Sequence, residues 1–542
     1  MKAIRKFIVF ILILSSCNRF DADLLVHNAA VYTVDPAFTV ASAFAVKDGK
    51  FVAVGNEDLL DQYSAAATLD MNGLPIYPGF IDAHCHFYQL GLGQTQADLR
   101  GAKSVREIIL RLEKHSRGQQ SNVLLGRGWD QNLWEDKQFP TKAALDAAFP
   151  DQFVVLERVD GHAAWVNSKV LSAAAIDNQT KVEGGEVLLA NGTPTGVLID
   201  KASDLAYAIL PQPNRAQQIA ALQAAESIAF SKGLTTVDDA GLDRDVLTLI
   251  DSLHQTEDLK IRLYGMISNT PENLAYYLDR GITQTERLTI RSVKVYADGA
   301  LGSRGAALQS DYSDDPHNKG LFITPAAKID SLAQILAEKG FQMNTHAIGD
   351  AANAAVLQAY ENVLGPIEDP RWRVEHAQVV LPQDIEKFGP KVLPSVQPTH
   401  ATSDMYWAEE RLGGDRVKSA YTYKSLLDWS GKIALGTDFP VEHVNPVYTF
   451  YAATLRKDHQ GYPQGGFQME NALTRSEALK GMTIWAAYAN FEEAQKGSIE
   501  VGKAADFVMM TKDIMTATAE DMLDTEVLAT FVDGEMVYQR KK

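Results

Sequence analysis

The sequence predicts an α/β chain whose centre is a (β/α)8 TIM barrel carrying an inserted subdomain, together with a small β-sandwich built from both chain ends. Three observations predict it. Eight short apolar runs alternate with stretches rich in Ala, Leu, Gln and Glu, the alternation that produces parallel sheets with covering helices. Strand-like runs broken by Gly turns occupy both ends of the chain, as though one domain were wrapped around a larger insert. His84, His86, His346, His376 and Asp438 each lie at the C-terminal end of an apolar run, the end at which such barrels place their chemistry.

Composition narrows the function. At 542 residues the chain exceeds one small core, and 46% hydrophobic with 22% charged residues is an ordinary globular balance. A formal net charge of −18 argues against nucleic acid or an anionic membrane surface, both of which select basic patches. The expected partner is a small-molecule substrate. Oligomeric state leaves no mark in the sequence.

Residues 1–16 read as a lipoprotein signal peptide. Lys2, Arg5 and Lys6 form its positive part, and the apolar run 7–14 is too short to anchor a span. Leu14-Ser15-Ser16-Cys17 resembles a lipobox, which would leave a lipid on Cys17 as the only membrane attachment. The alternative is a plain secretory signal with an incidental cysteine. The expectation is an exported protein, lipid-anchored to the bacterial cell envelope on its periplasmic or outer-membrane side. Cys85 is the sole other cysteine, so no disulfide framework supports the fold.

Residues 17–78 hold short alternating strands, with Lys47-Asp48-Gly49-Lys50 as a hairpin turn. Residues 491–542 hold their counterparts and complete the sandwich. The barrel is assigned to 79–490, with strands at Phe80–His86, Leu234–Ala240, Ile261–Ile267, Ser292–Asp298, Phe341–His346, Arg373–His376, Val392–Pro398 and Lys432–Asp438. The segment 87–214 between the first two is read as an inserted subdomain over the barrel mouth. The alternative is that it supplies ordinary barrel strands.

In the first run, strand alternation puts His84 and His86 on one face and Cys85 on the other, so two imidazoles can converge on one metal ion. Other pieces stand out in order: Arg127-Gly128-Trp129-Asp130, Asp160-Gly161-His162, Lys294-Val295-Tyr296-Ala297-Asp298, Gly302-Ser303-Arg304-Gly305, His346-Ala347-Ile348-Gly349-Asp350, Val374-Glu375-His376-Ala377 and Gly436-Thr437-Asp438-Phe439-Pro440. Together they resemble the metal-dependent amidohydrolase superfamily, in the amidohydrolase-3 subgroup similar to N-substituted formamide deformylases. The likeness covers nearly everything after the signal segment.

The resemblance implies that His84 and His86 bind a first metal and that His346 and His376 bind a second. It implies that Asp438 touches metal and serves as general base and acid. Lys294 falls where several relatives use a carboxylated lysine to bridge two ions, since a carbamate attracts cations that an ammonium repels. The alternative is an uncarboxylated Lys294 that pairs with Asp298 or binds substrate beside a single ion. One or two divalent ions are thus implied, with zinc the best fit to the ligand types. Zinc-activated water and a polarised carbonyl would then permit hydrolysis at neutral pH.

Four residues are candidates for substrate contact. Trp129 and His162 would reach down from the insert, Arg304 would bind a carboxylate bidentately, and His400 would orient the carbonyl. Each has a competing structural role: packing, capping, a loop salt bridge, or a surface position. Asp350 reads as a helix cap or supporting group, Cys85 as core, and the run Asp311–Asp315 as a solvated loop.

The reading is an enzyme, a hydrolase cleaving a non-peptide carbon–nitrogen bond such as an amide or an N-acyl or N-formyl group. Alternatives on the same site are ester, cyclic amide or ring-deamination chemistry. An alternative from another class is a lipoprotein that binds a solute or metal without turnover.

Overall fold

The computed structural model describes residues 19–117 and 122–541. The signal segment 1–16 and Cys17 lie outside the described residues. The central sheet is a nearly closed parallel barrel of eight strands, in sequence order around the ring. They are β1 (Phe80–Cys85), β2 (Leu234–Leu242), β3 (Arg262–Ser268), β4 (Leu288–Tyr296), β5 (Gln342–Ala347), β6 (Trp372–His376), β7 (Val392–Val396) and β8 (Ala434–Leu435). Each overlaps one of the eight apolar runs of the sequence. Helix boundaries follow local chemistry: Arg215–Ser231 starts from a capping box of Asn214 and Gln217, and Ala326–Lys339 stops at left-handed Gly340.

The eighth run is the exception in length. Only two of its residues form a regular strand, and the seam to β1 is made by other groups. Asp82 accepts the Thr437 N–H at 2.9 Å and the Thr437 hydroxyl at 2.7 Å. Asp438 N donates to His84 O at 2.8 Å, and His86 N to Phe439 O at 2.8 Å. Gly436 permits this approach, because a Cβ there would meet His84 N at 2.5 Å. The ring closes through the residues that carry the site.

The barrel exterior packs on its helices through apolar residues such as Val237, Leu263, Val293, Met343 and Val374, all buried. Its interior is charged. Asp82, Asp238, Arg373 and Glu375 are each at most 2% exposed. Such groups are tolerated only when paired, and Arg373 donates to Asp238 at 2.9 Å while lying 2.6 Å from Glu375.

Both chain ends meet in two packed sheets. Phe20–His27, Ala43–Lys47, Lys50–Gly55 and Tyr63–Asp70 form one. In the other, Pro75–Pro78 pairs antiparallel with Phe507–Met510, which joins Val527–Val532 and Glu535–Gln539. Phe44, Phe51, Phe507 and Phe531 fill the space between them. The hairpin turn is as the sequence predicts: Lys47 pairs with Lys50, and Asp48 and Gly49 both have positive φ, which a two-residue turn of this twist requires.

Between β1 and β2 a six-stranded sheet spans Ala97–Asp98 to Thr193–Asp200, with the hairpin Gly185–Ala190/Thr193–Asp200 at one edge. Residues of this insert line the cavity over the barrel mouth.

Candidate functional site

Three side chains gather at the C-terminal end of the barrel. His84, His376 and Asp438 are buried, and one donor atom from each lies within 4.8 Å of the others. The strand ends that present two of them are bent: φ is +70° at His376, +41° at Ala377 and +61° at Asp438. Left-handed backbone at non-glycine residues is costly and is held here by the packing around it.

The remaining candidate ligands surround this group. His86 Nε2 lies 3.3 Å from Asp438 Oδ1, and His84 Nε2 lies 3.7 Å from the same oxygen. The His346 ring is centred 4.6 Å from that of His376. Lys294 Nζ is 3.2 Å from His84 Nε2. The tightest group therefore takes one histidine from each of the two pairs that the resemblance implied.

The donors fit a divalent cation. Burial, then the Lys294 ammonium, pushes the His84 imidazole down to about 4. Burial likewise holds His346 and His376 well below the ordinary imidazole value. Neutral rings with free lone pairs are what a metal takes. Asp438 resists its own burial: the facing His400 and His86 imidazoles keep it ionised, well below the ordinary carboxylate value. Its buried Oδ1 makes no hydrogen bond of good geometry, nor does His376 Nδ1.

Support comes from behind the ligands. His84 Nδ1 lies 2.5 Å from Glu375 Oε2, which leaves Nε2 for the cavity. Burial disfavours the ionised Glu375, yet Arg373 and His84 beside it hold its carboxyl well below the ordinary range. This is the carboxylate–histidine arrangement that orients metal ligands. Glu375 escaped the sequence reading although its motif was noted. Its signal was alternation: 373 and 375 share the inward face of β6. Asp298 is also buried and accepts the N–H groups of Ala307, Ile348 and Gly349, at 2.8, 3.0 and 2.8 Å, tying the loops after β4 and β5. Lys294 has no carboxylate partner among the described residues, so the expected alternative of a Lys294–Asp298 pair is not formed. Burial brings its ammonium down to about 8.

Above the ligands lies a cavity of about 250 Å³ lined by barrel and insert. His162 and His400 line it, as do Arg158, Asp404 and Glu442. His162 Nδ1 is 2.6 Å from Asp200 Oδ1, and its ring is centred 5.0 Å from that of His346. His400 lies 3.2 Å from both Asp438 Oδ2 and Glu442 Oε1. Burial opposes a charge on His400, but these two carboxylates raise it well above the usual imidazole value.

Two expected substrate contacts are corrected. Trp129 is fully buried in the insert's own core, where its indole N–H donates to Leu156 O at 2.8 Å. An aromatic that large lowers the free energy most when packed, and here it faces Trp134 and Trp165 rather than the cavity. Arg304 is engaged with Asp314 at 2.9 Å, which Arg411 also contacts, so its guanidinium is already neutralised. The same pairing corrects the reading of Asp311–Asp315 as merely solvated. Asp350 starts the helix Asp350–Leu364 and accepts the Gln309 N–H at 2.9 Å, a supporting role.

A parallel barrel whose mouth gathers imidazoles and a carboxylate around one point, beneath a closed-over cavity, defines a metal-dependent hydrolase. The chain belongs to the amidohydrolase family, whose profile matches residues 67–538. It is 33% identical to YtcJ of Bacillus subtilis (strain 168) over 531 residues, covering 95% of this chain and 99% of that one. It is 25% identical to the N-substituted formamide deformylase of Arthrobacter pascens over 543 residues, covering 96% and 98%. Among solved structures, a metal-dependent hydrolase from Pyrococcus horikoshii OT3 superposes with a TM-score of 0.74 at 27% identity, covering 92% of this chain and 99% of that one. The protein is a hydrolase acting on carbon–nitrogen bonds.

Proposed function

We propose that the protein hydrolyses an amide, N-acyl or N-formyl bond of a small molecule, with zinc as its metal and Asp438 as general acid and base. One observation carries this reading: Asp438 presents Oδ1 to His84 and His86 while His400 holds Oδ2 at 3.2 Å. The name of the Arthrobacter pascens relative, a deformylase, favours a small acyl group.

His84, His376 and Asp438, with His86, His346 and Lys294 beside them, would hold one or two ions. A cation there supplies Lewis acidity toward the carbonyl and lowers the pKa of water toward neutrality. Asp438 accepts the proton of the attacking water and passes it to the leaving nitrogen, which would otherwise depart as a poor amide anion. His400, 3.2 Å from Oδ2, fixes the carboxylate for that transfer. His162, oriented by Asp200, presents Nε2 to the substrate from the insert. Lys294, buried and without a carboxylate partner, suits carboxylation, which needs the neutral amine.

The test is zinc content and hydrolysis of an amide panel by the wild type and Asp438→Asn, at saturating zinc. The expected result is turnover lowered by roughly 10²–10⁴-fold in the variant. Tight metal binding with no turnover of amide, ester, cyclic amide or aminated ring by the wild type would favour a binding protein instead. We also infer export and a lipid on Cys17, for which Cys17→Ser should move the protein from the membrane to the soluble fraction.

A further inference from the structure

Among the described residues, the cavity wall above the ligands is rich in acceptors, and its cationic side chains, Arg158 and His400, are both engaged by carboxylates. Outside the metal-ligand floor, the charged residues lining it are Asp130, Asp160, Asp404 and Glu442 against Arg158. Arg158 is spent on the insert itself. Its Nε donates to Gln131 Oε1 at 2.8 Å, Nη2 to Asp130 Oδ1 at 2.6 Å, and Nη1 to Asp160. Arg304, in the loop after β4, is held by Asp314. A substrate carboxylate at this wall, away from the Lys294 floor, would find the wall's cations already engaged and would meet several like charges.

Two of those carboxylates have no Lys or Arg partner among the described residues. Asp404 accepts only neutral donors at close range, chiefly the Tyr421 hydroxyl at 2.8 Å. Glu442 accepts the Ser403 hydroxyl at 2.6 Å and faces His400. Below them, Asp438 Oδ1 and His376 Nδ1 are buried without a hydrogen bond of good geometry, so the metal-ligand floor opens into the same cavity.

We propose that the substrate is an N-acyl amine whose remote end carries an aliphatic ammonium, received by Asp404 and Glu442 while the acyl carbon lies over the ligand group. This assignment rests on the proposed amide hydrolysis and adds the charge of the non-reacting half. An incoming ammonium would hold ionised the Asp404 carboxyl, which burial raises to about 7, and would add a second partner to Glu442 beside His400, whereas a second anion there is repelled. The net charge of −18 draws cations toward the whole molecule in the same sense.

Three compounds with the same acetamide and similar chain length make the test: mono-N-acetylputrescine, N-butylacetamide and N-acetyl-γ-aminobutyrate. With the full zinc-loaded chain, kcat/KM should fall in that order, by on the order of tenfold or more between the first and the last. Asp404→Asn and Glu442→Gln should each shrink that ratio several-fold. Equal turnover of all three, or preference for the carboxylate compound, overturns the proposal and leaves amide hydrolysis standing. If none is hydrolysed, amide hydrolysis itself is in question, and calorimetric binding of the same three compounds then decides. Tightest binding of the cation supports the acceptor wall, and equal or reversed affinities overturn it.

Discussion

His84 Nδ1 lies 2.5 Å from Glu375 Oε2, and both side chains are wholly excluded from solvent. The contact fixes which ring nitrogen faces the cavity, and Arg373 at 2.6 Å keeps the carboxylate charged. Glu375→Gln should therefore weaken metal binding about 10–100-fold, read by competition with a chromophoric chelator. It should also lower stability by ~3 kcal/mol in urea, because Arg373 loses a buried counter-ion. Unchanged metal affinity would show that His84 needs no such support.

Lys294 offers a second measurement. If its amine is carboxylated, an anionic replacement should stand in for it and a neutral one should not. Lys294→Glu is expected to retain more metal per chain than Lys294→Met, by elemental analysis after dialysis. Equal stoichiometry in both variants would argue for a lysine that takes no part in holding metal.

The two corrected residues separate stability from binding. Trp129→Phe removes the donor to Leu156 O from a closed core and should cost about 1–3 kcal/mol of stability with little change in KM. Arg304→Ala breaks a partly exposed pair with Asp314 and should cost less than ~1 kcal/mol. A large rise in KM in either variant would restore it as a substrate contact.

His254 gives a pH signature remote from the site. Burial pushes it down to about 4 from 6.5, with Nε2 donating to Ile261 O at 3.0 Å. Between those values the unfolded chain binds a proton that the folded chain does not, so stability is lost as pH falls from 6.5 toward 4. The loss amounts to at most about 3 kcal/mol. In His254→Gln, with chelator present, the drop in urea midpoint from pH 7 to 4.5 should be smaller than in the wild type. Parallel curves would remove His254 from the account.

Much of this architecture was legible because apolar runs bounded by turn residues announce parallel strands, and because ligands cluster at one end of them. His84, His376 and Asp438 were readable for that reason. Glu375 was not, since a charge pointing into a barrel resembles a surface residue until Arg373 is seen opposite it. Arg304 was misread because its partner Asp314 comes from a neighbouring loop turn. Asp404 and Glu442 carry no pattern at all: the end of the helix Pro398–Asp404 and the loop after Asp438 bring them over the cavity.

The seam between β1 and the β8 segment runs through His84 and Asp438, whose backbones are bonded to one another. One of these residues is synthesised near the start of the barrel and the other near its end. No nascent chain can assemble the complete site before Asp438 has emerged, so the ligand group forms only once the whole barrel has been made.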